Sequence, residues 1–471
     1  MGREGLFING DRVVGTRTFP VYHKYRGHIL ADVTETGQAE IDEALDGALQ
    51  VLVKPMSVND RFEILLRASR ALACQAQEFA RLMAQEAGKP YTDALAEVHR
   101  GQQTLYYSAI AAKTLAGREI PLAGNPGSER RVAFTVRKPY GVMLAITPFN
   151  FPLNLVLHKV APGLAAGNAV IVKPSPATPL TALKLADLFQ DAGLPAGWLH
   201  VVCGSGPELG QRLVTDPRVA MISFTGSAHV GHAIRQTAGL KPVILELGNN
   251  SANIVHSDAH VDEAARILAH KAYAYAGQMC IAVQRIYVHR AVYPQFEEQF
   301  VAAMQRLTVG DPEDPKTDVG PMIDNAAADR AESWIREALS QGARTVRAGE
   351  RRGTLLEPWA LAQVTPEMRI MADEVFAPIT GLAVYDEFDE ALAWANHSRY
   401  GLQTGVFTQS LNLAWKAVQT LKVGGVIIND SSAYRGDNMP YGGVKESGIG
   451  REGPEHAIHE MTYPTVAVFN L

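Results

Sequence analysis

Val142-Met143-Leu144-Ala145-Ile146-Thr147-Pro148-Phe149-Asn150-Phe151-Pro152 opens the part of the chain that decides the fold. A helical run at 154–167 follows it, and then a second apolar run, Ala169-Val170-Ile171-Val172-Lys173. Unbroken apolar runs of this length, without alternation, read as strands covered on both faces. Strand, helix and strand in about 30 residues predict a parallel pair joined by a crossover helix. The rhythm continues with a helix at 178–192 and strands at 199–203, 219–224 and 243–245. Such sheets take their ligands outside the carboxyl ends of the strands. A second alternating series, 253–426, predicts a second α/β domain.

Upstream, Asn9-Gly10-Asp11 lies in the middle of a hairpin read at 6–14. From 40 to 117 the pattern is helical, with Ile41, Ala44, Leu45 and Ala48 three or four residues apart. Extended arms around Gly124-Asn125-Pro126-Gly127 predict a hairpin standing off the body at 119–138. Downstream, 461–469 is a β-prone strip with no neighbour nearby in sequence. Left alone it would be an open edge, so pairing with another subunit is expected.

At 471 residues the chain exceeds what one hydrophobic core supports, so at least two domains are expected. The formal net charge of -5 carries no polybasic footprint, which argues against nucleic acid and anionic membrane as partners. No apolar run reaches the roughly 18 residues of a membrane span, and the first residues lack a signal-peptide core. The three cysteines, Cys74, Cys203 and Cys280, are scattered and have no ligand-spaced partners. Neither a disulfide framework nor a metal site is expected, and the reducing cytoplasm is the expected compartment.

Cys280 therefore reads either as a small buried hydrophobe or as a reactive thiol. Its position favours chemistry: a helical run from 264 to 276 stops at Gly277, and the β-type run 285–288 follows, so the cysteine sits at a junction that opens onto a cleft. Glu246 stands directly behind the apolar strand Val243-Ile244-Leu245, where desolvation would raise its pKa toward that of a general base for water. Asn150, between two Xaa-Pro constraints, is either a rigid turn residue or an amide donor held for an oxyanion. In Phe224-Thr225-Gly226-Ser227 a strand runs into a helix start, where free N–H groups attract a pyrophosphate. Lys173 ends a buried strand and is read either as solvent-exposed or as a ligand for ribose or phosphate. Gly204-Ser205-Gly206-Pro207-Glu208-Leu209-Gly210 is no dinucleotide fingerprint, because its third glycine comes one residue late.

Together these pieces resemble the aldehyde dehydrogenase superfamily. The resemblance spans essentially the whole chain through Asn150-Phe151-Pro152, Lys173-Pro174, Phe224-Thr225-Gly226-Ser227, Glu246-Leu247-Gly248, Gly277-Gln278-Met279-Cys280, Glu374-Val375-Phe376-Ala377-Pro378 and Pro440-Tyr441-Gly442-Gly443-Val444-Lys445-Glu446-Ser447-Gly448. It implies a Rossmann-like nucleotide-binding domain at 1–246, with 436–455 returning to it. A second α/β catalytic domain at 247–435 and a small β oligomerisation arm from 118–139 and 456–471 complete the expected organisation. It also implies roles. Cys280 is the nucleophile that forms a thiohemiacetal and then a thioester. Asn150 and the Cys280 N–H hold the oxyanion, and Glu246 activates the hydrolytic water. Lys159 and Glu452 match positions that relay a proton outward. NAD or NADP would be held by Thr147, Phe149, Lys173, Ser175, Gly226, Ser227, Gly248, Glu374 and Phe376. A homodimer or homotetramer is implied.

Three departures shape the expectations further. Asn249 follows Gly248 where many members have a second glycine. Pro176 stands where NAD-preferring members often carry Glu, so NADP is expected to be accepted. Met279 stands where phosphate-handling relatives often have Arg. The stretch 439–443 and Phe149 resemble the lactaldehyde, phosphonoacetaldehyde and non-phosphorylating glyceraldehyde-3-phosphate dehydrogenase branch, which implies a small, polar or anionic aldehyde. Arg100, His158, Met279 and Arg435 are the candidate substrate residues. Two alternatives stand beside this reading: a coenzyme-A-acylating enzyme, against which Glu246 argues, and a non-catalytic nucleotide-binding protein on the same fold.

Overall fold

The computed structural model describes residues 2–471. An eight-stranded sheet runs, edge to edge, through Gly448–Ile449, Val243–Glu246, Met221–Thr225, Val142–Ile146, Ala169–Lys173, Leu199–Val201, Leu6–Ile8 and Asp11–Val13. Its five central strands are parallel, and the hairpin at Leu6–Ile8 and the short strand at Gly448–Ile449 close it antiparallel. Val142–Ile146 has its successor in sequence on one side and Met221–Thr225 on the other. Crossovers leave this strand in opposite directions, and the crevice between them opens at the strand ends Ile146 and Thr225.

A seven-stranded sheet follows, in the order Arg344–Arg347, Trp359–Ala362, Ile379–Tyr385, Arg285–His289, Ala252–Val255, Gln403–Phe407 and Gly425–Ile428. All its pairings are parallel except the first. Each sheet carries its own apolar core, and a third, small cluster of Ile281, Leu402 and Tyr441 sits against Cys280. The helical stretch before Val142 resolves into Gln38–Leu52, Val58–Cys74, Ala76–Ala87 and Tyr91–Thr114. The fold is α/β throughout its body.

The tail corrects one expectation. Thr462–Asn470 is not unpaired within its own chain; it lies antiparallel along Arg131–Pro139 over nine residue pairs, and Glu119–Ile120 adds a third strand. Contact between segments more than 300 residues apart leaves no trace in a local pattern. Phe134 stacks on Phe469 at 5.8 Å, yet both remain exposed, as do Val132, Val136, Val466 and Val468. No helix among the described residues is long and apolar enough to cross a membrane.

Candidate active site

The turn after Val142–Ile146 is built from beneath. Lys89 Nζ donates to the Asn150 carbonyl at 3.0 Å, lies 3.4 Å from the Phe151 ring centroid and pairs with Glu97, fully buried. Glu97 Oε1 in turn accepts from the N–H groups of Leu153 (3.0 Å) and Asn154 (2.9 Å). The first turn of helix Asn154–Ala166, buried along its whole length, thus has a carboxylate for its orphan donors. Asn150 Nδ2 donates one hydrogen to the Gln278 carbonyl at 2.9 Å, which fixes the amide and leaves its second N–H free.

Cys280 is placed by a turn that the sequence pattern puts too late. Helix Val261–Tyr273 ends three residues before 276, and Tyr275 (φ 49), Ala276 (φ 54) and Gly277 (φ 67) follow in the left-handed region. Two consecutive non-glycine residues there are costly, so their surroundings must over-determine them. They do: Tyr275 Oη donates to the Ala87 carbonyl at 2.8 Å, and the Gln278 amide bridges Tyr275, Pro321 and Ile323. The sulfur emerges 3.1 Å from Tyr441 Oη. Burial pushes the thiol up to about 11, against the pull of the Tyr441 hydroxyl and the nearby Arg435. The resting sulfur is therefore protonated at neutral pH.

Glu246 ends its strand 3 % exposed, and neither carboxylate oxygen has a hydrogen-bond partner among the described residues. Burial, reinforced by the negative charge of Glu452, raises its pKa well above the ordinary value despite Arg435, Lys159 and Arg451. Gly442 makes room for it, since a Cβ there would stand 2.8 Å from Glu246 Oε1. Beside it, Glu452 pairs with Lys159 at 2.7 Å and with Arg435 at 3.0 Å. Burial acts to raise Glu452, but Lys159 and Arg435 outweigh it and hold the carboxylate ionised. Lys159 also donates to Thr225 Oγ1 at 2.6 Å.

Two clefts lie at the strand ends. One, of about 410 Å³, is lined by Phe149, Asn150, Ser227, Gly248, Cys280 and Glu374, among others. The other, of about 510 Å³, is lined by Ile146, Lys173, Gly206, Gly210, His229 and Val230, with no acidic side chain on its wall. Helix Ala228–Thr237, capped by Ser227 Oγ, begins between them. Phe149 meets Phe376 edge-on at 5.9 Å. Glu374 accepts from the Asn249 N–H at 3.0 Å, burial raises it to about 7, and Gly248 leaves the space beside it that any Cβ would fill. Thr147 Oγ1 is buried without a partner at the crevice. A helix start, an orphan hydroxyl, a carboxylate beside a glycine and a long acid-free cleft fit a dinucleotide. The glycine-rich segment at 204–210 lines this cleft although it lacks the fingerprint spacing. Ser175 Oγ accepts from the Ala177 N–H at 3.2 Å and shapes the turn that contains Pro176.

The candidate substrate residues fall into two groups. Arg100 and His158 meet on Asp437: Arg100 donates twice (2.9 and 3.1 Å), His158 Nε2 lies 3.2 Å away and Asn154 Nδ2 donates at 3.1 Å. Arg100 is thus a neutralised cation rather than a free one, and burial lowers His158 to about 4, leaving it uncharged. Arg435 lies over the Tyr441 ring at 3.6 Å, with its Nε buried and unpartnered. Met279 lies apart from both, beside Val375, Phe376 and Ala377. Asp437, Asn154, Tyr441 and the Lys89–Glu97 pair escaped the sequence reading. Lys89 lies within the helical pattern 40–117 without a role there, and Tyr441 lay unassigned within a recognised motif.

The pattern that defines the Aldehyde dehydrogenase family matches residues 13–466. The chain belongs to the aldehyde dehydrogenase family. It is 46% identical over 467 residues to 3-sulfolactaldehyde dehydrogenase of Priestia megaterium, covering 99% of this chain and 98% of that one. Among solved structures it resembles aldehyde dehydrogenase 21 of Physcomitrella patens in complex with the reaction product succinate (TM-score 0.97, 35% identity, 100% and 98% covered). It also resembles NADP-dependent glyceraldehyde-3-phosphate dehydrogenase of Bacillus halodurans complexed with NADP (TM-score 0.97, 33% identity, 100% of both chains covered). This aldehyde dehydrogenase is an NAD(P)-dependent oxidoreductase.

Proposed function

We propose that the enzyme oxidises a small aldehyde bearing one negative charge to its carboxylic acid. The observation that carries the reading is a thiol and an oriented amide lining one cleft, with the buried, unpartnered carboxylate of Glu246 just before the cleft-lining Leu247 and Gly248 and near enough to act electrostatically on the Cys280 thiol. Lys173, Ser227 and Glu374 on the walls of the two clefts would hold NAD(P), which when bound would supply the carbon that accepts hydride. Cys280 adds to the aldehyde carbon, and the free N–H of Asn150 and the Cys280 N–H hold the oxygen that gains charge, each donor contributing about 3 kcal/mol. Glu246 takes a proton from the water that hydrolyses the thioester. Its partners in relay are Glu452 and Lys159.

Charge counting supports the single negative charge. Lys89 with Glu97 and Arg100 with Asp437 are balanced pairs, and His158 is neutral. Lys159 and Arg435 share the one carboxylate of Glu452, which, while Glu246 keeps its proton, leaves one positive charge over and a free donor at Arg435 Nε. A sulfonate or carboxylate tail matches that excess; a phosphate dianion exceeds it. The acid-free wall around Lys173 supports acceptance of NADP. The open arm sheet supports a homodimer at the least, and the unpaired thiols a reducing compartment such as the cytoplasm.

The test is a screen of short aldehydes with neutral, singly and doubly charged tails against both cofactors, with product analysis. Highest kcat/KM for a singly charged tail, a free acid as product, measurable NADP reduction and no activity in Cys280→Ala are expected. An acyl-coenzyme A product, or a preference for the dianion, contradicts the reading.

A further inference from the structure

We propose that Tyr441 is a further catalytic residue, its hydroxyl donating a hydrogen bond to Cys280 Sγ, 3.1 Å away, as the sulfur becomes the attacking thiolate. The inference rests on the reading of Cys280 as nucleophile. A thiol can donate to a phenol, but a thiolate has no proton, so once the sulfur is charged only the tyrosine can be the donor. A hydrogen bond to an ionised acceptor is about twice as strong as a neutral one, so the contact favours the thiolate over the thiol. The thiol proton passes to water in the cleft, and Tyr441 keeps its own. Burial and the neighbouring Cys280 push the phenol well above its ordinary value, so the proton is shared with the sulfur rather than lost to it.

Two features tune and hold this donor. The Arg435 guanidinium lies 3.6 Å from the centre of the Tyr441 ring, where a cation draws electron density from the ring and strengthens the O–H as a donor. The backbone of Tyr441 is bridged to Glu452 by reciprocal hydrogen bonds of 3.0 and 2.6 Å, and its ring packs with Ile281 and Leu402 at 3 % exposure. Glu452 also anchors Arg435, so one carboxylate positions both the donor and the cation above it. Phenylalanine would preserve the packing and lose only the proton that the sulfur uses.

The test follows alkylation of Cys280 by iodoacetamide in the full-length protein as a function of pH. It is read by mass spectrometry on the Cys280 peptide so that the exposed Cys74 does not contribute. Tyr441→Phe is expected to slow alkylation at neutral pH by about tenfold and to move the profile to higher pH, with NAD(P) binding retained. An unchanged profile overturns the proposal. Should Tyr441→Phe lose cofactor binding through misfolding, 3-fluorotyrosine at 441 decides: its more acidic phenol should move the profile to lower pH, and no movement overturns the proposal. Cys280→Ser separates this inference from the one beneath it. If that variant still turns over, the nucleophile reading fails; if it is dead while Tyr441→Phe alkylates like wild type, only the role of Tyr441 fails.

Discussion

At the scale of single residues, the two groups proposed for catalysis, Cys280 and Glu246, are both shifted toward their protonated forms. Burial holds the Cys280 thiol near 11, so its thiolate is a minor species at neutral pH, and burial together with the charge of Glu452 raises Glu246 above the usual carboxylate range. Both must lose a proton, so kcat/KM is expected to rise with pH from neutrality toward the Cys280 value of about 11. A profile that falls over that window contradicts the assignment of either group. Glu246→Gln should separate the two halves of the reaction: stopped-flow absorbance should show about one equivalent of reduced cofactor per active site, followed by turnover slowed roughly 10² to 10⁴-fold. Loss of the first turnover as well would place Glu246 in the oxidation rather than the hydrolysis. Cys280, Glu246 and Asn150 could be proposed from the sequence because each follows an apolar strand or helical run, a local signature. Tyr441 was not, because what matters is its distance from a sulfur 161 residues earlier.

Elements and the turns between them carry the precision of the site. The helix that follows Asn150 begins on Glu97, and Glu97 is balanced by Lys89, both without solvent contact. Lys89→Met should destabilise the protein by about 3–5 kcal/mol in chemical denaturation, because it strands a buried carboxylate. Adding Glu97→Gln should recover part of that loss; no recovery would mean that Lys89 acts through packing alone. His200, on the next strand but one, accepts from the Asn9 N–H at Nδ1 (3.3 Å) and meets the Gly197 carbonyl at Nε2 (3.0 Å), which only the neutral ring can do. Burial lowers it to about 4, below its unfolded value near 6.5. Its contribution is therefore present above pH 6.5 and lost as pH falls toward 4, up to about 3 kcal/mol. In His200→Asn the melting temperature should fall less steeply over that window than in wild type, and equal slopes would refute the assignment. Helix and strand periodicity was readable from the sequence; the left-handed run at 275–277 was not, since tyrosine and alanine carry no preference for it.

For the whole molecule, the arm is the open question of assembly. Thr462–Asn470 satisfies one side of its backbone on Arg131–Pro139 and leaves the other free, with Val466, Val468 and Phe469 exposed. An edge strand of nine residues flanked by apolar side chains is a pairing surface. Light scattering after size exclusion is expected to show a dimer or tetramer for the full chain and a smaller or aggregated species after removal of residues 462–471. A monomeric full chain would refute the proposed role of the arm.

The order of strands and helices, the α/β class and the candidates for thiol, amide and carboxylate could be read from the sequence, because hydrophobic periodicity and strand-end motifs are properties of neighbours along the chain. Tertiary structure alone decided which charges cancel. Arg100 looked like a free cation until Asp437 stood beside it, and Arg435 kept an unmatched donor because Lys159 shares its carboxylate. Burial, charge balance and donor geometry depend on distances between residues far apart in sequence, and those distances exist only once the two sheets have packed.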